Sequence, residues 1–120
     1  MSIKILVIED NENNRYLIGY ILKKYGHEVV EATNGEKGVE LALKELPDLI
    51  LMDIQLPGMD GLEATRQIRA SEANGGIPII ALTSYAMAGD KERALKAGCT
   101  GYIEKPIDPE TIMANLEIYL

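Results

Sequence analysis

The sequence predicts an α/β fold of the doubly wound type, in which a (βα)5 chain path forms a parallel five-stranded sheet covered by helices. Two observations support this prediction. Five apolar segments of strand length alternate with five segments of helical periodicity along the 120 residues. The segment at residues 49–53 is apolar up to its last position, Asp53, which is typical of a strand buried on both faces.

The first two strands and helices occupy residues 3–47. Ile3–Ile8 is rich in β-branched residues and predicts a strand, and Glu28–Ala32 predicts a less apolar strand that lies nearer an edge. We expect the first helix to end at Gly26 and the second at Pro47. The apolar stripes of these helices are Leu17, Ile18, Ile21, Leu22 and Tyr25 on the first, and Val39, Ala42, Leu43 and Leu46 on the second.

The second half of the chain continues the alternation. Ile77–Leu82 predicts a fourth strand and Tyr102–Ile103 a short fifth strand. The fourth helix is expected at Met87–Ala97, closed by Gly98, and its apolar stripe is thin enough to predict weak anchoring. The stripes are Leu62, Thr65 and Ile68 on the third helix, which ends before Asn74, then Met87, Ala94, Leu95 and Ala97 on the fourth, and Ile112, Leu116 and Tyr119 on the fifth.

Composition and charge narrow the class of protein. With 12 basic and 19 acidic residues the net charge is −7, which argues against a surface for nucleic acids or anionic membranes. No apolar run approaches the roughly 18 residues of a membrane span. The single cysteine, Cys99, cannot form an internal disulfide and is expected to be a small buried side chain. We therefore expect one monomeric cytoplasmic domain over residues 1–120, with no output domain after its last helix.

Polar residues follow the predicted strands at their carboxyl ends. Glu9 and Asp10 follow the first strand, Asp53 ends the third, Thr83 ends the fourth and Lys105 follows the fifth. In a flavodoxin-like sheet of strand order 2-1-3-4-5, the winding direction reverses between the first and third strands, and ligands bind at that point. We expect the three carboxylates to meet there, with Thr83 and Lys105 beside them.

This set of side chains suits phosphoryl transfer. Three carboxylates in one pocket repel unless a cation neutralises them, and an all-oxygen cluster without His or Cys favours Mg²⁺. Asp53 would be the nucleophile, while Thr83 and Lys105 stabilise charge on the phosphoryl oxygens. Because an ionised carboxylate has no proton to lose, no general base is required.

Simpler interpretations exist for each residue taken alone. Either Asp10 or Asn11 could be the N-terminal cap of the first helix, and the two alternatives stay open. Lys105 could be a solvated surface lysine and Tyr102 a core residue. Asp60 is interpreted as a residue of the turn and helix start, with no catalytic role.

With these residues in place, the chain resembles the response-regulator receiver domains, the CheY-like family, over its whole length. The residues that carry the resemblance are Glu9-Asp10, Met52-Asp53 with Asp60-Gly61, Thr83-Ser84 and Lys105-Pro106. Thr83 and Lys105 follow Asp53 by 30 and 52 residues, which agrees with the family pattern. Glu9 departs from the commoner Asp at its position. The stretches 85–90 and 98–102 look closest to DivK-type single-domain regulators and to receivers of hybrid kinases.

The resemblance implies a role for each site residue. Asp53 would accept a phosphoryl group from the phosphohistidine of a histidine kinase or a histidine phosphotransfer protein. Mg²⁺ would be bound directly by Asp10 and Asp53 and by the backbone carbonyl of Gln55, with Glu9 acting through a metal-bound water. Lys105 would contact the phosphoryl group, and the family also suggests a cis peptide bond before Pro106.

A conformational switch is implied by the same resemblance. After phosphorylation, Thr83 would move toward the phosphoryl group and Tyr102 would turn inward to fill the space that Thr83 leaves. The face formed by helix four, strand five and helix five would then change, and a downstream target protein would bind there. The acyl phosphate would later be hydrolysed in the same site.

Two other functions are distinguishable from this one. A haloacid-dehalogenase-type hydrolase would need a second Asp two residues after the nucleophile as general acid, and this chain has Gln55, which cannot transfer protons. A phosphorylation-independent pseudo-receiver is disfavoured by the intact acidic pair with Thr83 and Lys105.

Overall fold

The computed structural model describes residues 2–71, 76–83 and 88–119. Within these ranges the strands are β1 (Lys4–Ile8), β2 (Glu28–Ala32), β3 (Leu49–Asp53), β4 (Ile79–Thr83) and β5 (Gly101–Glu104). The helices are α1 (Glu12–Lys24), α2 (Gly35–Glu45), α3 (Gly61–Ala70), α4 (Ala88–Ala97) and α5 (Ile112–Glu117). None of these helices is long and apolar enough to cross a membrane.

The strands form one parallel sheet in the order β2-β1-β3-β4-β5, which confirms the predicted fold class and strand order. Ile8 pairs with Met52, so the carboxyl ends of β1 and β3 lie side by side. Asp53 in turn pairs with Leu82 on β4. The less apolar β2 is an edge strand, as its sequence predicted.

Both faces of the sheet carry a hydrophobic core, because successive side chains of a strand point to opposite faces. On β3, Ile50 and Met52 belong to one cluster, while Leu49 and Leu51 belong to the other. All four side chains have an exposed fraction of 0%. A central strand covered on both sides therefore needs an apolar residue at every position, and Asp53 is the exception at its end.

Side-chain caps set the starts of α1, α2 and α3, from Asn11, Asn34 and Asp60 respectively. Asn11 Oδ1 accepts a hydrogen bond of 2.9 Å from the Asn14 amide, so Asn11 and not Asp10 caps α1. Asp60 Oδ1 accepts one of 2.9 Å from the Glu63 amide at the start of α3, which confirms its predicted helix-start role. Because Asn11 fills the capping position, the carboxylate of Asp10 is available for the cluster of acidic groups beside it.

Several residues assigned to apolar stripes are exposed, and their exposure has two geometric causes. Tyr25 and Leu46 are the residues that follow the last helical positions of α1 and α2, where the helical period no longer applies. Leu43 and Leu95 each follow a buried alanine, so they are rotated about 100° away from the core-facing side of their helices. The predicted stripes were therefore too wide at these positions.

Element boundaries differ from the predictions by one or two residues. β1 begins at Lys4 and not at Ile3, α5 ends before Tyr119, and β4 runs from Ile79 to Thr83, so Thr83 belongs to the strand itself. Ile77 and Pro78 precede β4, although the Pro78 carbonyl accepts a hydrogen bond of 2.9 Å from the Ile50 amide. Some predictions from the sequence fall outside the described residues: those at Asn74 and Ser84, and those in the stretch 85–87, which includes Met87.

Candidate functional site

Three carboxylates meet where β1 and β3 end. Glu9, Asp10 and Asp53 each place a carboxylate oxygen within 4.8 Å of the other two. Glu9 and Asp53 are buried, while Asp10 is exposed. The parallel pairing of β1 with β3 causes this convergence, since it brings the ends of both strands to one edge of the sheet. The predicted acidic cluster is therefore present.

Lys105 reaches two of these carboxylates from the loop after β5. Its Nζ lies 3.1 Å from Asp53 Oδ2 and 2.7 Å from Glu9 Oε1. Burial by itself lowers the pKa of Lys105, but the two carboxylates outweigh that effect and the pKa is raised. The Lys105 amide also donates a hydrogen bond of 2.7 Å to the Thr83 carbonyl, and the Lys105–Pro106 bond is cis, as expected.

Glu9 is the most buried acidic side chain of the cluster. The amide of Asn11 donates to Glu9 Oε2 at 3.3 Å, whereas Oε1, although close to Lys105, has no hydrogen bond of good geometry. Burial is the main reason that the pKa of Glu9 is raised to about 7; the nearness of Asp53 raises it further and Lys105 opposes both. When all three carboxylates are ionised, the ammonium group of Lys105 offsets only one of their charges.

Asp53 has a partner on each carboxylate oxygen. The amide of Gln55 donates to Oδ1 at 2.9 Å, and Lys105 donates to Oδ2 at 3.1 Å. The two bonds fix the carboxylate at the edge of the sheet with an exposed fraction of 2% for the residue. A carboxylate held in this way is oriented before any substrate arrives.

A hard divalent cation fits this donor set. All candidate ligands are oxygen atoms, and the buried Oε1 of Glu9 lacks a hydrogen-bond donor of good geometry. Oxygen ligands and excess negative charge suit Mg²⁺, which keeps several waters and binds few protein carboxylates. Asp10 and Asp53 could bind the ion directly, and Glu9 could accept from a water on it.

Thr83 lies on β4, which is next to β3, and Tyr102 lies on β5, the edge strand beyond β4. Thr83 is the buried last residue of β4 and pairs with Glu104 of β5. Tyr102 pairs with Ala81, two residues further from the edge of the sheet, and is half-buried. The Nζ of Lys91, on α4, lies 5.0 Å from the centre of the Tyr102 ring. Thr83 therefore lies at the carboxyl end of β4, and Tyr102 lies two residues further from that end of the sheet, where its ring contacts Lys91 of α4.

Two sets of contacts near the site, made by Arg15 and Gly61, were not predicted from the sequence. Arg15 Nη1 donates to the carbonyl oxygens of Glu9 and Asp10 at 3.0 and 3.4 Å. Gly61 packs on the backbone of Asp53. The glycine directly after the Asp60 helix cap is the signal that could have drawn attention to this packing.

Known proteins of one family match this chain. The model of the response regulator receiver domain matches residues 5–117. A polar-differentiation response regulator, DivK, from Brucella anthropi is 40% identical over 120 residues, covering 100% of this chain and 98% of the relative. DivK from Brucella ovis has the same identity and coverage.

Solved structures show the same similarity. The chemotaxis protein CheY4 of Vibrio cholerae has a TM-score of 0.95 at 29% identity, with 100% of both chains covered. The receiver domain of the sensor histidine kinase PA1611 from Pseudomonas aeruginosa has a TM-score of 0.91 at 39% identity, covering 99% of this chain and 98% of that one. That receiver structure contains a magnesium ion coordinated in its active-site cleft.

Proposed function

The chain belongs to the response regulator receiver domain family, and from this premise we propose that it is a phosphorylation-controlled switch with Asp53 as its phosphoacceptor. Receiver domains of two-component systems take phosphoryl groups from histidine kinases and interact with downstream targets. The donor proposed for this chain is a phosphohistidine on a sensor kinase or on a histidine phosphotransfer protein.

The observation that carries the proposal is the double contact on Asp53. Its carboxylate is held by the Gln55 amide on one oxygen and by the Lys105 ammonium on the other. In the proposed step an Asp53 oxygen attacks phosphorus, the new O–P bond forms, and the N–P bond of the phosphohistidine breaks. The imidazole leaves with the bonding electron pair and takes up a proton.

The protein's own groups would then stabilise the transferred phosphoryl group. Lys105 is within hydrogen-bond distance of Asp53, so a short movement of its ammonium brings it onto a phosphoryl oxygen. The hydroxyl of Thr83, at the end of the neighbouring strand, is proposed to donate to another. Preorganised donors of this kind favour phosphoryl transfer because the reaction spreads negative charge over these oxygens.

Magnesium is the cofactor that we propose for this site. When bound, it would neutralise the phosphoryl oxygens and the surrounding carboxylates. Asp10, Asp53 and the Gln55 carbonyl would bind it directly, and Glu9 would hold one of its waters. The donor set supports this assignment, because three carboxylates share the site with the single ammonium group of Lys105.

The signal is proposed to leave through the face formed by α4, β5 and α5. Thr83 and Tyr102 would move together on phosphorylation, and a downstream target protein would bind the altered face of a monomeric domain. Water later hydrolyses the Asp53 acyl phosphate, which restores the carboxylate and releases inorganic phosphate. We place this exchange in the cytoplasm, where the unpaired thiol of Cys99 is stable.

An intact-mass measurement tests the acceptor. The protein is incubated with Mg²⁺ and acetyl phosphate, and the expected result is one added phosphate, absent in EDTA and in Asp53→Ala. Asp60→Ala is the matched control, because Asp60 is a helix cap in the same loop and labelling should persist. Stoichiometric labelling of Asp53→Ala would falsify the site assignment.

Two further outcomes would identify other functions. Continuous phosphate release from ordinary phosphomonoesters would indicate a hydrolase of the haloacid-dehalogenase type. Absence of labelling, with Mg²⁺ bound and the protein folded, would indicate a phosphorylation-independent pseudo-receiver.

A further inference from the structure

Arg15 connects the acidic loop to two neighbouring elements. It lies in the first turns of α1, and its side chain is 19% exposed. Nη1 donates to the Glu9 carbonyl at 3.0 Å and to the Asp10 carbonyl at 3.4 Å. Nε lies 3.5 Å from Oε1 of Glu31 on the edge strand β2. One guanidinium group thus touches the backbone of both acidic residues and is anchored from the other side.

These contacts are with the peptide groups of the acidic pair and not with their carboxylates. The orientation of a peptide group helps to determine where the side chains on either side of it point. Asp10 is exposed and follows the end of β1, so the hydrogen-bond ladder of the sheet does not hold it in place. A donor on the carbonyls of residues 9 and 10 supplies that restraint.

We propose that Arg15 is a positioning residue for the cation site, holding the Glu9–Asp10 backbone so that the Asp10 carboxylate stays within reach of Asp53. The inference rests on the proposed function only in naming Mg²⁺ as the ion. Planar guanidinium groups suit such a task, since several N–H donors are fixed in one geometry. Glu31 keeps the guanidinium in place and balances its charge.

The direction in which Mg²⁺ affinity changes when Arg15 is removed distinguishes a positioning role from a purely electrostatic one. A positive group close to a cation site repels the cation, so removing Arg15 should tighten Mg²⁺ binding if only its charge mattered. If Arg15 orients the ligands, removing it should weaken binding instead. A purely structural link between α1 and β2 would lower stability and leave the affinity for Mg²⁺ unchanged.

The test compares Mg²⁺ affinity in Arg15→Met, Arg15→Lys and the parent protein, measured by NMR titration of the Gln55 amide with magnesium chloride. We expect Arg15→Met to bind Mg²⁺ about 10-fold more weakly, which is the typical effect of removing a group that orients metal ligands. Arg15→Lys should recover more than half of the lost affinity on a logarithmic scale, because an ammonium can donate to both carbonyls. Urea unfolding of each variant, with EDTA, records stability separately.

Lys24→Met is the matched control. It removes the same charge from an exposed position at the end of α1, and it should not weaken Mg²⁺ binding. The positioning role is overturned if Arg15→Met binds Mg²⁺ as tightly as the parent or more tightly, or if Arg15→Lys binds no better than Arg15→Met. Should Arg15→Met fail to fold, Arg15→Gln, which also removes the charge, replaces it in the same comparison: weaker Mg²⁺ binding than in the parent supports the role, and equal or tighter binding overturns it.

Phosphorylation is measured apart from binding, so that the two proposals can fail independently. At saturating Mg²⁺, the control Lys24→Met should be labelled by acetyl phosphate at a rate close to that of the parent protein. A parent protein that binds Mg²⁺ without being labelled would reject the acceptor role of Asp53 and leave the Arg15 comparison intact.

Discussion

Gly61 packs directly on the backbone of Asp53. A Cβ atom at position 61 would stand 2.3 Å from the Asp53 carbonyl oxygen and 2.6 Å from the Ile54 Cα. Both neighbours are backbone atoms, which cannot rotate away as a flexible side chain can. The start of α3 is therefore seated against the end of the strand that carries the candidate acceptor, and a residue without a side chain permits that approach.

Replacing Gly61 should damage both the fold and the site. We expect Gly61→Ala to lower the free energy of unfolding by about 1–3 kcal/mol, the usual cost of forcing an extra methyl group into a packed region. Urea denaturation measures the loss. Labelling of Asp53 by acetyl phosphate should also slow, because the strand end must shift to make room.

Gly19→Ala is the matched control for this substitution. Gly19 lies inside α1, where a Cβ atom would meet nothing within 4 Å beyond the adjoining residues and backbone of its own helix, so alanine should raise the free energy of unfolding by about 0.5–1 kcal/mol through helix propensity. Equal stability of Gly61→Ala and the parent protein would contradict the close packing at position 61.

Lys105→Met should leave two carboxylates without their shared cation. Lys105 is close to both Glu9 and Asp53, and leaving buried charged groups unpaired costs about 1–3 kcal/mol or more. We expect this loss in urea unfolding with EDTA, and we expect added Mg²⁺ to recover much of it. Coupling between phosphorylation and partner binding should also be lost.

Lys37→Met provides a comparison for a lysine in an exposed ion pair. Lys37 pairs with Glu40 on the surface of α2, and such pairs contribute about 0–1 kcal/mol.

A marked weakening of Mg²⁺ binding in Lys105→Met would count against the proposed role of Lys105 in sensing the phosphoryl group.

Lys91→Met tests how α4 is coupled to Tyr102. The ammonium of Lys91 lies 5.0 Å from the centre of the Tyr102 ring, and an exposed cation–π contact is worth about 0.5–1 kcal/mol. If Tyr102 turns inward on phosphorylation, this contact favours the resting state. Its removal should raise the inward population about two- to five-fold, as measured by NMR of labelled tyrosine rings. Lys96→Met, on the same helix, is the control and should leave the Tyr102 signal unchanged. An unaltered Tyr102 signal in Lys91→Met would exclude the coupling between α4 and Tyr102.

Cys99 should make the protein less stable at high pH. Burial raises the pKa of its thiol above the ordinary value of 9.0, although Thr65 and Arg69 partly oppose the effect. The unfolded chain therefore loses this proton at lower pH than the folded protein does, so the stabilising contribution is complete below pH 9.0 and declines as the pH rises above it. Comparing urea unfolding of the parent protein and Cys99→Ala between pH 8 and 10.5 separates the pH dependence due to Cys99 from that due to Lys105, whose pKa is also raised.

Thiol chemistry offers an independent measurement of the same group. Because the thiolate is the reactive form, iodoacetamide should alkylate Cys99 far more slowly in the native protein than in urea. Equal alkylation rates in the native protein and in urea would show that the thiol is not buried and that its pKa is not raised.

The alternation of apolar segments was enough to predict the fold. Parallel strands with helices on both faces require continuous apolar runs, and residues 49–53 show the clearest one. The same rule places the carboxyl ends of neighbouring strands together, which is why the contacts among Glu9, Asp53 and Lys105 could be anticipated. Periodicity failed where it depends on helix ends or on the edge of a stripe, as at Leu43 and Tyr25.

The sequence by itself determined which side chains reach the site edge, because strand periodicity and chain order are local properties. Tertiary structure decided how those side chains are held. Asn11 caps α1, so Asp10 is available for the acidic cluster. Arg15 donates hydrogen bonds to the Glu9 and Asp10 carbonyls and pairs with Glu31. Gly61 allows the start of α3 to pack against the backbone of Asp53. Each contact joins groups whose distance depends on how separate elements pack, and packing geometry is a property of the whole fold that no local pattern encodes.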